Sequence, residues 1–309
     1  MRNAFADEIT SLAAEDKRIV MLPADIGNKL FDKYKELFPD RFYNCGVAEA
    51  NSIGVAAGMA FSGLRPVVYT ITPFITTRCY EQIRVDLCFN NLPVIIVGVG
   101  AGFCYSTLGI THHSCEDIAI MRVLPNMTVI CAGDAFEVRA ALRAALKHDG
   151  PVYLRLGKKG EALVHKEIPD LKIGKGIVIS KGKDICLLST GNMLPTAVKI
   201  GEILNSNGIS TEVMSFHTIK PLDKELLSEA FEKFKIVVTL EEHSLLGGFG
   251  SSVAEWFIDK NLQSSKLLRF GTEDRFLHKV GDQEYARQCF DLTAESITEK
   301  ILKVYSNNR

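Results

Sequence analysis

The feature that most constrains the fold is the regular alternation of short apolar runs with helix-length amphipathic segments along the chain. Such alternation is typical of parallel sheets whose faces are covered by helices. In the first half we predict strands at 19–22, 42–45, 66–69, 93–98, 127–131 and 152–155. The helices predicted around them span 2–15, 49–62, 75–90, 116–122 and 134–147, the last with Asp134 as its N-cap.

A polar stretch divides the chain near its middle. Residues 161–174 carry Pro169 and Gly174 and lack hydrophobic periodicity, as linkers do. Beyond it the alternation resumes, with strands predicted at 177–179, 185–189, 211–214, 236–240 and 266–270 and helices at 192–206, 223–233, 247–259 and 293–305. We therefore predict an α/β fold of two domains, 1–160 and 175–309, each a mainly parallel sheet flanked by helices.

Composition restricts the classes of function. The net charge of −1 gives no general attraction to nucleic acid or to an anionic membrane. No apolar run approaches the roughly 20 residues of a membrane span, and the first residues lack the apolar core of a secretion signal. The eight cysteines form no C-x-x-C pair and lie mostly within apolar runs, which indicates buried thiols in a reducing compartment. We expect a cytoplasmic protein that binds neither nucleic acid nor membrane.

One carboxylate, Glu49, opens the predicted helix 49–62, which is otherwise rich in glycine and alanine. Small residues at this density weaken an isolated helix, so they favour close packing against another subunit or a ligand. A carboxylate in such surroundings is desolvated, which favours its protonated form and suits it for sharing a proton. The alternative, that the helix dipole simply favours an acidic residue at this end, stays open.

Two more loops follow predicted strands of the same sheet. The loop at 100–113 is rich in glycine and ends in His112 and His113, and Phe74 follows another strand. Structural roles stay open for both, because a histidine pair is often solvated and Phe74 could anchor the core. Ligands of open parallel sheets bind where the strands end at their carboxyl side. We therefore expect Glu49, Phe74 and a histidine to converge on one pocket.

Several ordered motifs resemble the transketolase family, over nearly the whole chain. Those similar to its pyrimidine-binding domain are Gly46-Val-Ala-Glu49-Ala-Asn, Phe74 with Tyr80-Glu-Gln-Ile-Arg84, and Thr111-His112-His113. Those similar to its C-terminal domain are Lys220-Pro-Leu-Asp223 and Leu240-Glu-Glu-His243-Ser-Leu-Leu-Gly-Gly-Phe-Gly250. The resemblance implies an enzyme that uses thiamine diphosphate.

The resemblance also implies a partner chain. Transketolases hold the diphosphate and its Mg²⁺ through a Gly-Asp-Gly motif and a downstream Asn, which lie in a separate N-terminal domain. This sequence has no Gly-Asp-Gly, so we expect the C-terminal subunit of a split transketolase that transfers a two-carbon ketol unit between sugar phosphates. The partner subunit would supply the diphosphate-binding domain and the Mg²⁺ (or Ca²⁺), in an expected α2β2 heterotetramer.

The motifs assign cofactor-binding residues by position. Glu49 matches the family glutamate that bonds to N1′ of the aminopyrimidine and favours the imino tautomer, whose 4′ nitrogen takes the C2 proton of the thiazolium. Phe74 matches an aromatic residue of the pyrimidine pocket, and Asp25 matches an aspartate near the cofactor. Ile71 stands where many members have a second pocket phenylalanine, so one stacking face is expected to be missing.

The motifs also assign substrate-binding residues. His112 matches a family histidine that contacts substrate and intermediate oxygens, and we expect His113 beside it to face the substrate too. Lys158 replaces a phosphate-binding arginine and keeps the charge without the bidentate fork. Leu108, or Thr107 if the loop is aligned with a gap, replaces an aspartate that contacts the donor sugar. These departures predict that the cofactor chemistry is kept while the sugar differs from the standard pentose phosphate.

Three other interpretations stay open. The beta subunit of a 2-oxo acid dehydrogenase shares this two-domain plan, and release of CO₂ from a 2-oxo acid would identify it. A synthase of the deoxyxylulose phosphate type is less favoured, because that family carries the diphosphate domain in the same chain. A non-catalytic transketolase-like subunit would bind a partner without chemistry, although it would have no need of Glu49.

Overall fold

The computed structural model describes residues 1–27, 29–262 and 265–307 and contains two sheets with helices packed on their faces. The strands are β1 (Ile19–Pro23), β2 (Arg65–Ile71), β3 (Ile95–Val99), β4 (Thr128–Cys131), β5 (Val152–Leu156), β6 (Ile177–Ser180), β7 (Ile185–Ser189), β8 (Thr211–Ser215), β9 (Thr218–Lys220), β10 (Ile236–Ser244) and β11 (Lys266–Thr272). The first sheet has the order β1-β2-β3-β5-β4-β9, and the second has the order β11-β10-β7-β8-β6. All pairings are parallel except those of β9 with β4 and of β6 with β8. The predicted α/β fold with two mainly parallel sheets is therefore confirmed.

Helices connect the strands. The α-helices of the described residues are α1 (Arg2–Glu15), α2 (Asp32–Leu37), α3 (Glu49–Phe61), α4 (Thr72–Thr76), α5 (Tyr80–Gln82), α6 (Asp117–Arg122), α7 (Ala135–Leu146), α8 (Leu194–Ser206), α9 (Lys224–Lys233), α10 (Phe249–Asp259), α11 (Gln283–Cys289) and α12 (Ala294–Ser306). Short 3₁₀ turns lie at Pro39–Arg41, Ser106–Leu108, Ile110–His112 and Gly191–Met193, and a π-helical turn lies at Ile83–Phe89. Eight of the nine predicted helices begin and end within two residues of the observed bounds; the prediction at 75–90 is the exception.

Helix α7 shows how local sequence sets an element boundary. The Asp134 side chain accepts hydrogen bonds from the backbone N–H groups of Phe136 and Glu137, both at 2.9 Å. The Glu137 carboxylate reaches back to the N–H of Gly133 at 2.6 Å. These bonds satisfy donors that a helix start leaves unpaired, as the sequence predicted for Asp134. Burial raises the pKa of Glu137 to about 7.

The predicted strand at 42–45 is wrong. This segment runs outside β1 at the edge of the first sheet, where the N–H of Tyr43 bonds to Met21 and that of Cys45 bonds to Pro23. Tyr43 and Asn44 are exposed rather than buried. The Asn44 side chain accepts a hydrogen bond from the N–H of Gly46 at 2.8 Å. Such a local side-chain bond competes with strand pairing and turns the chain toward α3.

The helix predicted at 75–90 is broken. It starts earlier, at Thr72, because Pro73 in the first turn has the fixed backbone angle that favours a helix start. The hydroxyls of Thr76 and Thr77 bond back to the carbonyls four residues earlier, a pattern that bends helices. The chain then resumes as α5 and the π-helical turn Ile83–Phe89.

The two sheets are joined more closely than a simple linker would suggest. Residues 161–174 form no helix or strand, but β9, from the second half of the chain, pairs with β4 of the first sheet. Apolar side chains from both halves, such as Met121 and Phe249, lie in one continuous buried cluster. The strand β9 was missed because three residues carry too little periodicity to detect.

All eight cysteines are free thiols, and six of them are buried. Burial raises the pKa of Cys131 to about 12, so that this thiol stays protonated at neutral pH. None of the described helices combines the length and the apolarity that a membrane crossing requires.

Candidate active site

The loops that follow β1, β2 and β3 meet at the carboxyl edge of the first sheet. Glu49 opens α3, and its Oε1 lies 3.5 Å from Nη1 of Arg78. The Arg78 guanidinium lies over the ring of Phe74, 4.1 Å from its centroid. The Phe74 ring in turn meets the ring of His112 edge-on, with 5.1 Å between centroids. The structure thus brings together the carboxylate, the aromatic ring and the histidine that the sequence singled out.

The contacts continue along the third loop. The Tyr105 and His112 rings lie 6.3 Å apart, and Nζ of Lys158 lies 4.8 Å from the centroid of the Tyr105 ring. Glu49, Arg78, Phe74, His112, Tyr105 and Lys158 therefore form a continuous row of contacts, which we call the site row. Four of its members were predicted from the sequence.

Glu49 is buried although it carries an ionisable group, with 7% of its side chain exposed. It lies in the first turn of α3, where the helix dipole favours a negative charge. Among the described residues, Arg78 is the one side chain that bonds to its carboxylate. Arg78 therefore supplies a positive charge beside this buried carboxyl group.

Arg78 and Tyr105 are the two members of the site row that the sequence did not assign to the site. Arg78 follows Phe74 by four residues and lies in the turn between α4 and α5; four residues is the spacing at which helical side chains lie on the same face. That spacing, together with the known affinity of guanidinium groups for aromatic faces, was the available signal. Half of the Arg78 side chain is exposed, so it can swing away from Phe74 and Glu49 into solvent.

The two histidines have different surroundings. His112 is half-buried, and its Nδ1 lies 2.9 Å from the hydroxyl of Thr111. Burial and the charge of Arg78 lower the pKa of His112, so that the ring is neutral at pH 7. His113 is buried on the other side of the loop, with its ring edge-on to Phe103 at 5.3 Å. The structure therefore does not bring His113 to the site row.

The remaining predicted residues lie at the same edge of the sheet but outside the row. Ile71 ends β2 and packs partly into the core. Asp25 is exposed after β1 and accepts a hydrogen bond from the Asn44 side chain at 3.2 Å. Leu108 is 55% exposed and ends a 3₁₀ turn. An apolar side chain at Leu108 offers a substrate no charge and no hydrogen bond.

A buried ion pair lies at the end of the 100–113 loop, beside Ser114. Nε of Arg155 donates to Oδ2 of Asp117 at 2.6 Å, and the hydroxyl of Tyr153 donates to the same oxygen at 2.6 Å. Both members of the pair are almost fully buried. Burial raises the pKa of Asp117, but the charge of Arg155 outweighs it and holds the pKa below its usual value. The Asp117 carboxylate therefore neutralises the buried guanidinium of Arg155.

Comparison with known proteins places this geometry in a class. Residues 1–160 match the family model described as transketolase, pyrimidine binding domain, and residues 174–297 match the transketolase C-terminal domain. These two domains are those of the transketolase family, whose members depend on thiamine diphosphate.

Individual relatives agree with that class. A protein of Methanocaldococcus jannaschii, provisionally named a transketolase C-terminal section, is 36% identical over 98% of this chain and 95% of its own length. A 6-deoxy-6-sulfo-D-fructose transketolase subunit of a Clostridium species is 37% identical over 98% of this chain and 94% of its own. A solved split-gene transketolase, described as an inactive β4 tetramer, has a TM-score of 0.91 and 34% identity, and the match covers 100% of this chain and 99% of that one. The chain belongs to the transketolase family.

Longer relatives are also similar. The 1-deoxy-D-xylulose-5-phosphate synthase of Rippkaea orientalis is 36% identical over 99% of this chain, and the match covers 48% of that enzyme. This chain therefore spans about half the length of such relatives.

The site row fits the pyrimidine half of thiamine diphosphate. Oε2 of Glu49 makes no hydrogen bond within the described ranges, so a ring nitrogen could bond there. The half-buried ring of Phe74 can stack on a flat heterocycle once Arg78 moves aside. No cluster of three or more metal-ligating side chains occurs in the described part of the chain.

Proposed function

We propose that this chain is the C-terminal subunit of a two-chain, transketolase-like enzyme that moves a two-carbon ketol unit between sugar substrates. The observation that carries the proposal is the buried Glu49 at the start of α3, in one row of contacts with Phe74 and His112. Bound thiamine diphosphate would supply the carbanion that attacks a ketose carbonyl.

Four residues of the site row have separate proposed roles in this reaction. Glu49 holds and shares a proton at the pyrimidine N1′, and burial keeps water from competing for that proton. Phe74 orients the pyrimidine by stacking. Neutral His112 can donate or accept a hydrogen bond at a substrate oxygen, because its pKa lies below the usual value. Lys158 attracts an anionic group at the far end of the sugar.

A partner chain completes the proposed enzyme. Two relatives that are similar over nearly their whole length are named as a section or a subunit of transketolase. The partner would bind the diphosphate and Mg²⁺ (or Ca²⁺), and we propose an α2β2 heterotetramer in the cytoplasm. The relative described as an inactive β4 tetramer is consistent with a chain that is inactive without its partner.

An exposed apolar face beside Glu49 fits this partner. Helix α3 exposes two glycines, Gly54 and Gly58, where an added Cβ would meet no atom within 4 Å. The exposed apolar side chains around them are Val47, Val55, Phe61, Val85 and Phe89. A flat glycine surface rimmed by exposed phenylalanine is typical of a protein interface, and it adjoins the residue that would hold the cofactor.

This surface predicts that one substitution stabilises the isolated chain but prevents its assembly with the partner. Replacing Gly58 with Leu stabilises the isolated chain by about 0.5–1 kcal/mol, because glycine is a poor helix former and the new side chain meets open space. The same side chain projects into the proposed interface and prevents assembly with the partner. Denaturation of the single chain and analytical ultracentrifugation of the mixture measure the two effects.

The matched control is Ser11→Leu, which adds the same side chain at an exposed position of α1. Helix α1 packs on the opposite face of the first sheet from α3, in a separate apolar cluster. We expect normal assembly for this variant. Full assembly of Gly58→Leu would contradict the placement of the partner on α3.

The substrate is proposed to be a sugar other than the standard pentose phosphates. Leu108 and Ile71 lack the polar and aromatic groups expected for the common donor, while Lys158 keeps a positive charge. A relative is named for 6-deoxy-6-sulfo-D-fructose, a sugar whose terminal anion is a sulfonate. Profiling the assembled complex with sulfofructose and with xylulose and ribose phosphates tests this. Highest kcat/KM on xylulose and ribose phosphates would refute it.

A second candidate is favoured by the synthase relatives, which are as similar to this chain as the transketolase sections. Thiamine diphosphate enzymes that use a 2-oxo acid as the donor release CO₂, as the beta subunit of a 2-oxo acid dehydrogenase would with its partner. Incubation of the complex with pyruvate separates the two candidates. We expect no CO₂ release, and rapid release would replace ketol transfer with 2-oxo acid chemistry.

A further inference from the structure

We infer that Glu242, a residue of the C-terminal half, is a positioning residue that sets the loop carrying His112. The inference rests on the proposed function, because it concerns how His112 is held against a substrate. It gives the C-terminal half a role in the site, although every member of the site row lies at or before residue 158.

Glu242 is a fully buried carboxylate at the end of β10, surrounded by hydrogen-bond donors from three parts of the chain. Its Oε1 accepts the backbone N–H of Phe103 at 2.7 Å and the side-chain amide of Asn192 at 2.8 Å. The Gln283 amide donates to the same oxygen at 2.9 Å, and Arg287 donates to Oε2. A carboxylate that accepts hydrogen bonds from this many donors is fixed in one position.

One of these donors belongs to the loop that carries His112. The N–H of Phe103 is the first loop amide after Gly102, and the Phe103 ring stacks on Phe290 of the C-terminal half with 5.4 Å between centroids. Gly102 has a φ of +60°, and an added Cβ would lie 2.3 Å from Oε1 of Glu242. The loop can approach Glu242 this closely because residue 102 has no side chain.

The end of the loop, at Ser114, also bonds to residues around Glu242. Gly102 and Ser114 exchange two backbone hydrogen bonds of 3.0 Å, which close the loop at its base. Nη2 of Arg155 donates to the carbonyl of Ser114 at 3.1 Å and to the carbonyl of Glu242 at 3.0 Å. Both ends of the loop therefore lie at Glu242. Phe103 bonds to the side chain of Glu242, and Ser114 is linked through Arg155 to the backbone carbonyl of Glu242.

The loop has little internal structure to hold His112 independently. Between residues 103 and 113 it contains two 3₁₀ turns of three residues each. Its position depends on its base, and a catalytic group displaced by about 1 Å can lose on the order of 10²-fold in rate. Loosening Glu242 should therefore alter sugar binding and leave the cofactor residues Glu49 and Phe74, on other segments, in place.

The test compares Glu242→Gln with Glu212→Gln. Glu212 is another buried carboxylate of the C-terminal half, and it also accepts one backbone N–H, from Gly182, and pairs with one cation, Lys233. Both substitutions remove a buried charge of the same kind, but only Glu242 touches the loop. In Glu242→Gln the new amide group turns a donor toward other donors, which breaks part of the cluster.

Two readouts separate positioning from general damage. In the single chain, we expect hydrogen exchange over residues 103–113 to be at least about tenfold faster in Glu242→Gln than in wild type or Glu212→Gln. In the complex with the partner, we expect KM for the sugar to rise by about tenfold or more in Glu242→Gln, with unchanged affinity for thiamine diphosphate. Gln283→Leu removes one donor from the cluster, and we expect it to change hydrogen exchange and KM in the same direction by a smaller factor. It replaces Glu242→Gln in both measurements if that variant does not fold.

Other outcomes overturn the inference. Equal effects of Glu242→Gln and Glu212→Gln on exchange or on KM would reduce Glu242 to a general stabilising residue. Parallel loss of thiamine diphosphate affinity would show that the whole site, and not the loop, had moved. If the wild-type complex shows no ketol transfer, the proposed function fails, and the exchange measurement still decides whether Glu242 holds the loop.

Discussion

Replacing Glu49 with Gln lowers the turnover of the assembled complex by about 10²–10⁴-fold, the usual contribution of a positioned acid or base. Gln has the same shape and can still bond to a ring nitrogen, but it cannot hold and release a proton. The chain should fold normally, because the one side chain that bonds to Glu49 in the described ranges, Arg78, is half exposed and can turn to solvent. Steady-state ketol transfer and thermal denaturation measure the two properties.

The control for this substitution is Glu81→Gln, in the same loop region. Glu81 is exposed and pairs with Arg84 at the surface, 2.9 Å away. We expect wild-type turnover for Glu81→Gln. Turnover of Glu49→Gln within a few-fold of wild type would remove Glu49 from the chemistry and leave it as a helix-start residue favoured by the dipole.

Replacing Asp117 with Ala lowers the free energy of unfolding by about 3–5 kcal/mol, the usual cost of leaving one member of a buried ion pair unpaired. Arg155 would keep its charge in a buried site, and the Tyr153 hydroxyl would lose its acceptor as well. Chemical denaturation of the single chain measures the change. This is the largest stability effect that we expect in the loop region.

Two variants test the cause of that loss. Glu299→Ala removes an exposed partner of Lys303, and we expect a shift in the denaturation midpoint too small to resolve. Arg155→Met added to Asp117→Ala removes the unpaired charge, so it should recover part of the lost stability. If Asp117→Ala unfolds at the wild-type midpoint, the ion pair does not support the loop as described.

Regular elements were predictable because their signal is local. The helices α9 and α12 follow apolar periodicity, and the strands β1 and β7 are short continuous apolar runs; a few neighbouring residues specify both signals. The prediction failed where position in the sheet decides the structure. Residues 42–45 have the apolar pattern of a strand, but they lie beyond β1 at an edge, where a local Asn44 bond competes with pairing.

The candidate site was predictable for a similar reason. Loops after neighbouring parallel strands must meet at one edge, so Glu49, Phe74 and His112 could be grouped before any coordinates. Arg78 could have been added from its spacing to Phe74. The role of Glu242 could not be found in this way. Glu242 lies 139 residues from Phe103, and its contact with the loop depends on how the two halves of the chain pack.

Isothermal titration of thiamine diphosphate with Mg²⁺ tests the central claim most directly. The titration uses this chain alone, a partner chain that carries Gly-Asp-Gly with a downstream Asn, and the two mixed. The account predicts tight binding and ketol transfer in the mixture, and neither in this chain alone, because the proposed roles of Glu49 and Phe74 cover only the pyrimidine half of the cofactor. Tight cofactor binding with ketol transfer by this chain alone would contradict it.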